Sequence, residues 1–337
     1  MSNKPLVCIC IPNYNNEKTI SETLDSLVNQ TYKNIIIKIF DNASTDNSMK
    51  ILKEYEAKYT HIKVFQNETN IGGEGNFTKC FENAEGKYTA VFHSDDIYFP
   101  NIIEEEVKFL ENNNCSAVAT HSIYIDENGK QIGEHFIPTE IKDIDNLVFD
   151  FNHLFKISLK YGNIITCPSV MAKTNIILEK IKYWDFQNFK TSADFDVWLR
   201  FAKYGGIGFI NKPLIKYRMS NNSYSYTHNR LALDLFDMFL VFEYYLKKKN
   251  VQQSLDEKDI WNYIYQYNKC LLSININRYL INSQKEFLSY KKIKKINNFK
   301  ELILFVSIEL FNIIKYIPLP KKIKNIILNV KLERLYK

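Results

Sequence analysis

"LVCICIPNYNNEKTISETLDSLVNQ", Leu6 to Gln30, decides the fold class. Its first seven residues form a continuous apolar run of strand length, and Ile20, Leu24, Leu27 and Val28 then recur at helical spacing, so a buried strand is expected to feed a helix. The unit repeats. "NIIIKIFD" (34–41) is a second buried strand, "ASTDNSMKILKEYEAKY" supplies a helix capped near Ser44 or Asp46, and "HIKVFQN" (61–67) is a third strand. After "NIGGEGN" (70–76), "FTKCFENA" reads as helix and Tyr88–Phe92 as a fourth strand. Such alternation predicts an α/β fold with a mostly parallel central sheet flanked by helices, in which ligands bind at strand carboxyl ends.

Every strand in this reading ends in a polar cluster: "PNYNNE" (12–17), "DNASTD" (41–46), "NETNIGGEGN" (67–76) and "HSDD" (93–96). Asn, Asp, Gly and Ser are also what turns and helix caps prefer, so any one cluster has a structural explanation. All of them together, in this order along one sheet edge, point to a ligand site. Asp95 and Asp96 sharpen the point, because they follow the apolar run Tyr88–Phe92 directly. Adjacent ionised carboxylates repel one another and resist burial unless a positive charge offsets them. A divalent cation would supply it.

A chain of 337 residues with 45% hydrophobic and 24% charged content is globular rather than disordered, and long enough for an enzyme domain with an appendage. The six cysteines are scattered, and Cys8 and Cys10 have no second pair or histidine cluster to complete a zinc site, so reduced, mostly buried thiols are expected. Met1–Leu6 is polar and runs straight into a strand without a secretory pattern, so the catalytic part is expected to stay in the cytoplasm. The formal charge of +6 is uneven: residues 230–337 hold 20 Lys and Arg against 10 Asp and Glu, or +10, leaving −4 for residues 1–229. Nothing in the basic part reads as a zinc finger, an RNP-like stretch or a helix-turn-helix, so no nucleic-acid partner is expected. A dinucleotide-dependent oxidoreductase is a poor reading too, since "IPNYNN" after the first strand lacks the phosphate-binding glycines.

Taken as an ordered set, "IPNYNNEKTISETLDSLVNQTY", "FDNASTDNS", "NIGGEGN", "HSDDIYFP" and "DFDVWLRFAKYG" resemble the family 2 glycosyltransferases, from about Pro5 to Ser225. The resemblance implies a Rossmann-like, GT-A-type nucleotide-diphospho-sugar transferase domain over residues 1–228. It further implies a nucleotide-sugar donor, a Mg²⁺ or Mn²⁺ ion, inversion at the anomeric carbon and a side-chain base. Asp41 would read the donor base by accepting the uracil imide proton, with Pro12, Tyr14 and Asn15 lining a uridine-compatible pocket. Glu17 would lie near the nucleotide, or serve as a first-turn carboxylate favoured by the helix dipole. Asn76 follows a glycine-punctuated loop where Gly72, Gly73 and Gly75 would let the backbone approach the donor.

By the same resemblance, Asp95 takes the place of the metal-binding last carboxylate of the Asp-x-Asp motif, with Asp96 supporting it. His93 replaces the first carboxylate and would contact donor ribose or phosphate, or stand as an inert strand-end histidine. Asp194 takes the place of the catalytic base, with Asp196 as the fallback and an N-cap as the competing explanation for either. The usual Glu before the base is Ala193, and the usual His after Tyr-Arg-x is Ser220. His228 could reach the metal in its stead, and Arg218 and Ser223 could contact phosphate. Asn163 to Ser169 would border the acceptor. The donor expected is UDP-hexose or UDP-N-acetylhexosamine, and the acceptor a glycan or lipid-linked glycan of bacterial surface polysaccharide or lipooligosaccharide synthesis. The departures at positions 93, 193 and 220 leave an inactive nucleotide- or glycan-binding module as the alternative.

Residues 229–337 carry no such motif and read as helices, with Lys interleaved among Ile, Leu and Phe. The longest nearly uncharged run, Leu302–Ile314, is broken by Glu309 and is too short to span a bilayer. It is open to three readings: a peripheral contact with the inner face of the membrane, packing on the catalytic domain, or a homo-oligomer interface.

Overall fold

The computed structural model describes residues 4–144, 147–219, 232–293, 296 and 298–334, with side chains followed to residue 327. The chain divides into two compact units: Met1–Phe155 with Asn163–Met219, and Lys156–Gly162 with Ser220–Lys337. The expected boundary at 228/229 lies outside the described residues, as do Ser220, Ser223 and His228.

The first unit is an α/β layer structure. In chain order it contains β1 (Val7–Asn13), α1 (Ile20–Val28), β2 (Ile35–Asp41), α2 (Ser48–Lys58), β3 (Ile62–Gln66), α3 (Gly72–Glu82), β4 (Tyr88–Val91), β5 (Ile97–Tyr98), α4 (Ile102–Asn112), β6 (Ala117–Ile125), β7 (Gln131–Glu134) and β8 (Leu147–Phe149). After α5 (Phe151–Tyr161), which the division between the units cuts at Phe155, come β9 (Val170–Lys173), α6 (Thr174–Ile176), α7 (Phe186–Phe189), α8 (Ala193–Lys203) and β10 (Ile207–Arg218). The sheet runs β3-β2-β1-β4-β9-β6-β10-β5, with β7 on β6 and β8 on β10. Strands β1 to β4 run parallel to one another. Val7 to Ile11 are completely buried because the sheet is covered on both faces, which is why β1 reads as an unbroken apolar run. The second half is mixed: β9 inserts antiparallel between β4 and β6, and β6 pairs parallel with β10.

Two helix starts differ from the sequence expectation. α2 begins at Ser48 rather than at Ser44 or Asp46, because the carboxylates that serve its first turn come from Glu17, across the loop, and from Asp46 just ahead. α3 begins at Gly72, so the three glycines lie in its first turns. Only Gly72 has a left-handed φ, +79°, and both it and Gly73 face open space.

The second unit is helical: α9 (Met238–Leu246), α10 (Lys249–Ser254), α11 (Glu257–Leu280), α12 (Phe299–Ile314) and α13 (Lys321–Arg334). Asp256 and Asp259 form a capping box at the start of α11. Two buried amides on α11, Asn268 and Asn275, each exchange a pair of hydrogen bonds with the backbone of Lys291 and Leu288. They hold that extended segment along the helix as a neighbouring strand would. No helix among the described residues is long and apolar enough to cross a membrane.

Candidate active site

Register builds the first row of the site. Asn13, Asp41 and Gln66 are the partnered last residues of β1, β2 and β3, so their side chains meet at the carboxyl edge. Asp41 is fully buried and accepts from Asn13 Nδ2 at 2.8 Å, Ser44 Oγ at 2.6 Å, Ser44 N at 3.0 Å and Gln66 Nε2 at 3.4 Å. A carboxylate has about four acceptor sites, so a base reaching Asp41 must displace one of these donors.

The loops after β1 and β2 are stitched together. Asn15, in a left-handed conformation, donates its N–H to Ser44 Oγ and accepts from Thr45 N. Asn16 N bonds Ser48 Oγ, and Glu17 N bonds Asp46. The Glu17 carboxylate takes both the backbone and side-chain N–H groups of Asn47, so it serves the start of α2 and not its own helix. Asn42, which sequence reasoning passed over, is the hub of the next loop. It donates to Asn70 Oδ1 and Gly72 O and accepts from Asn67 and Ile71 N. Asn76 is buried, bonded to Phe40 O and Asn67, and so braces the loop from behind. Tyr14 and Asn15 are exposed and Pro12 half-buried, leaving this lip open to a ligand.

The loop after β4 is built differently. His93, Asp95 and Asp96 bring their ligating atoms within 4.8 Å of one another, the one such His/Cys/Asp/Glu cluster among the described residues. Asp96 is completely buried. Its Oδ1 accepts from Arg218 N at 2.7 Å, whereas its Oδ2 lies 3.8 Å from His93 Nδ1 and has no hydrogen-bond partner. His93 Nε2 is likewise buried without a partner. Burial pushes the Asp95 carboxyl up, and burial together with the neighbouring Asp95 pushes Asp96 well up. Burial lowers His93 to about 4, so its imidazole is neutral at pH 7 and its lone pair is available. Buried acceptors without donors, beside a pair of carboxylates that resist ionisation, are groups that a cation would satisfy. A divalent metal fits these residues: Asp95 and Asp96 would hold it, with His93 alongside.

Arg218 is not the phosphate contact that its place in the sequence suggested. It is buried, and its guanidinium is spent on the carbonyls of Asp95, Asp126 and Glu127 and on the Glu22 carboxylate. This arginine fixes the Asp95–Asp96 loop to the ends of β6 and β10.

Asp194 opens α8 with Asp196 one residue beyond Phe195. Asp196 is committed to Arg200 at 2.8 Å, and Arg200 in turn binds the carbonyls of Ile181 and Tyr183, which removes it as a fallback base. Asp194 stays available. Burial raises it to about 6, against the opposing pull of the Phe195 N–H, the Trp198 indole and the Asn163 side chain, the last at 3.2 Å. The competing N-cap role goes to neither aspartate, since the N-cap position is Ser192.

Cys167 relates this carboxylate to the His93–Asp95–Asp96 cluster: burial, Asp194 and Asp96 all push its thiol up, so both carboxylates lie within electrostatic reach of one sulfur. An aromatic wall runs the same way. His93 meets Phe77 edge-on at 5.5 Å, Phe77 meets Trp184 at 5.1 Å, and Trp184 meets Trp198 at 5.8 Å. The sequence carried no signal for this wall, because its members are far apart in the chain.

A central sheet with carboxylate-lined loops at its carboxyl edge is the architecture of a GT-A-type sugar transferase. The mannosyltransferase PcManGT from Pyrobaculum calidifontis, solved with GDP-mannose and Mn²⁺, superposes with a TM-score of 0.54 at 12% identity over 98% of this chain and 88% of its own. Staphylococcus aureus TarS 1–349, solved with UDP, gives 0.53 at 15% identity over 81% and 82%. The Glycosyl transferase family 2 signature matches residues 8–173. An uncharacterised glycosyltransferase of Methanocaldococcus jannaschii is 32% identical over 73% of this chain and 82% of its own length. TuaG of Bacillus subtilis, named for teichuronic acid biosynthesis, is 29% identical over 66% and 82%. The chain belongs to glycosyltransferase family 2.

Proposed function

We propose that this glycosyltransferase is an inverting, metal-dependent enzyme that moves a sugar from a UDP-sugar to a glycan or lipid-linked acceptor of surface polysaccharide synthesis. The observation that carries it is the pairing of a cation-deficient cluster, His93, Asp95 and Asp96, with a carboxylate raised to about 6 at Asp194, both in reach of Cys167. TarS, solved with UDP and with UDP-GlcNAc, supports a uridine donor, and the name of TuaG supports a surface-glycan acceptor.

In this reading Tyr14 lies against the base, while Asn13 and Ser44, held by Asp41, line the floor beneath it. Glu17 and Asn76 keep the lip in shape. Asp95 and Asp96 would hold the metal, and His93, as a nitrogen donor, would suit Mn²⁺ better than Mg²⁺. A bound ion would supply positive charge to offset that of the leaving diphosphate. Asp194 accepts the proton of the acceptor hydroxyl as that oxygen attacks the anomeric carbon from the face opposite the leaving diphosphate. A base with a pKa near 6 is ionised at pH 7 yet basic enough to help. Asn163 orients it.

Thermal stabilisation by UDP, GDP, CMP and dTDP sugars, with and without Mn²⁺, tests the donor reading. The expected result is a Mn²⁺-dependent shift with UDP sugars, lost in Asp95→Ala. No shift with any nucleotide sugar would overturn it. A shift without turnover on any acceptor or water would make the chain a binding module instead.

A further inference from the structure

Helix α12 has two apolar faces. The inner one, Leu304, Ile308 and Phe311, is buried, with Phe311 packed in a small core beside Tyr279 and Leu280. The outer one consists of Phe299, Leu302, Ile303, Val306, Leu310 and Ile313, all exposed, with Phe299 at 73% and Ile313 at 64%. At about 3.6 residues per turn the second stripe is centred roughly opposite the first. It extends about 20 Å along the helix at ~1.5 Å per residue, and no polar residue interrupts it. The pattern continues past Pro318 and Pro320: Tyr316 and Ile317 are exposed, and so are Ile323, Ile326 and Ile327 at the start of α13. A helix that needs one apolar face to fold has no folding reason to carry a second.

Charge selects the occupant. Residues 291–337 hold 12 Lys and Arg against 3 Glu, a balance of +9. Lys300 stands at one end of the stripe, and Lys321 and Lys322 are exposed beyond the other. A second copy of the chain laid on this face would bring like charges together with few carboxylates to answer them. An anionic lipid leaflet accepts both components: the stripe sinks to the headgroup boundary, and the lysines meet phosphates. No described helix is long and apolar enough to cross, so the stripe must lie in the plane. We propose that the outer faces of α12 and α13 dock the enzyme on an anionic membrane surface.

The test is flotation of the full chain with vesicles of phosphatidylcholine alone and of phosphatidylcholine containing a minority of phosphatidylglycerol. Wild type is expected to float with the anionic vesicles, less so as salt rises. Because Val306 and Leu310 are already exposed, the double change Val306→Glu, Leu310→Glu should leave the melting temperature in place and lower partitioning about a hundredfold. Lys321→Glu with Lys322→Glu should lower it about tenfold and flatten the salt dependence. The proposal is overturned if wild type stays with the pellet at low salt, or if both double variants float as wild type does. A lipid-free wild-type dimer that Val306→Glu, Leu310→Glu dissolves would assign the stripe to a second copy of the chain and also overturn it.

Discussion

The loops after β1, β2 and β3 and the loop after β4 are made of the same residue types, and their hydrogen-bond accounts differ. In the first set Asp41, Asn42, Glu17 and Asn76 find their donors and acceptors inside the protein. After β4, Asp96 Oδ2 and His93 Nε2 are buried without partners. Apart from Asn13 Oδ1, which is also buried without a partner, the first set makes a preformed wall, and the orphaned carboxylate and imidazole after β4 mark where positive charge would come from a ligand. Polar composition alone does not separate scaffold from site. Unpartnered atoms gathered beside paired carboxylates do, whereas an isolated one such as the Glu106 carboxyl does not.

That contrast can be broken experimentally. The largest effect is expected at Asp95→Ala: a loss of about a thousandfold in kcat/KM, or about 4 kcal/mol, together with loss of Mn²⁺-dependent thermal stabilisation. Full Mn²⁺ stabilisation in that variant would move the metal elsewhere.

Asp194→Asn should cost a comparable but smaller factor, about 10²–10³ in kcat, with the donor-induced thermal shift kept. The pH profile carries the sign. The base works ionised, so the rate should fall as pH drops through about 6, and this limb should disappear in the residual activity of the variant. A limb that persists there belongs to another group.

On the scaffold side, Asn42→Ala strands the Ile71 N–H, takes one of two acceptors from the Asn67 amide and removes the donor to Gly72 O; it should cost about 2–3 kcal/mol of stability, read as a lower melting temperature. Its donor affinity should suffer through the loop from Asn70 to Gly72 and not through lost contact. An unchanged melting temperature would show that the wall is softer than its bonding implies.

The smallest effect tests the rule away from the site. Glu106 on α4 is completely buried, with neither carboxylate oxygen partnered, and burial pushes its carboxyl well up. Its ionised form is the one the fold disfavours, so wild-type stability should decline as pH rises above the ordinary carboxylate range. Glu106→Met should therefore gain about 1 kcal/mol near pH 8 and progressively less towards pH 5. A destabilised Glu106→Met would mean that this carboxyl has a role in the fold.

Much of the first half was legible because buried parallel strands announce themselves: Leu6–Pro12, Asn34–Asp41 and Tyr88–Phe92 all became strands. The adjacent carboxylates were legible for the same reason, as charge where the pattern demanded burial. What failed was whatever depended on distant partners. The starts of α2 and α3 shifted because Glu17 and Asn42 serve them from neighbouring loops, about 30 positions away. Arg218 looked like a phosphate ligand because its tie to Asp96 spans 122 positions. The antiparallel insertion of β9 and the Phe77–Trp184 wall are long-range facts of the same kind.

Arg218 has one more consequence, for anyone rebuilding this enzyme piece by piece. Its guanidinium joins Glu22, Asp95, Asp126 and Glu127, four addresses from three separate stretches of chain, and it is the fourth stretch itself. A donor-specificity loop transplanted from a relative at any one of them arrives without the counterpart its new neighbours were shaped for. The modular unit here is the whole clasp, and chimaeras that exchange it entire should fold where single-loop grafts do not.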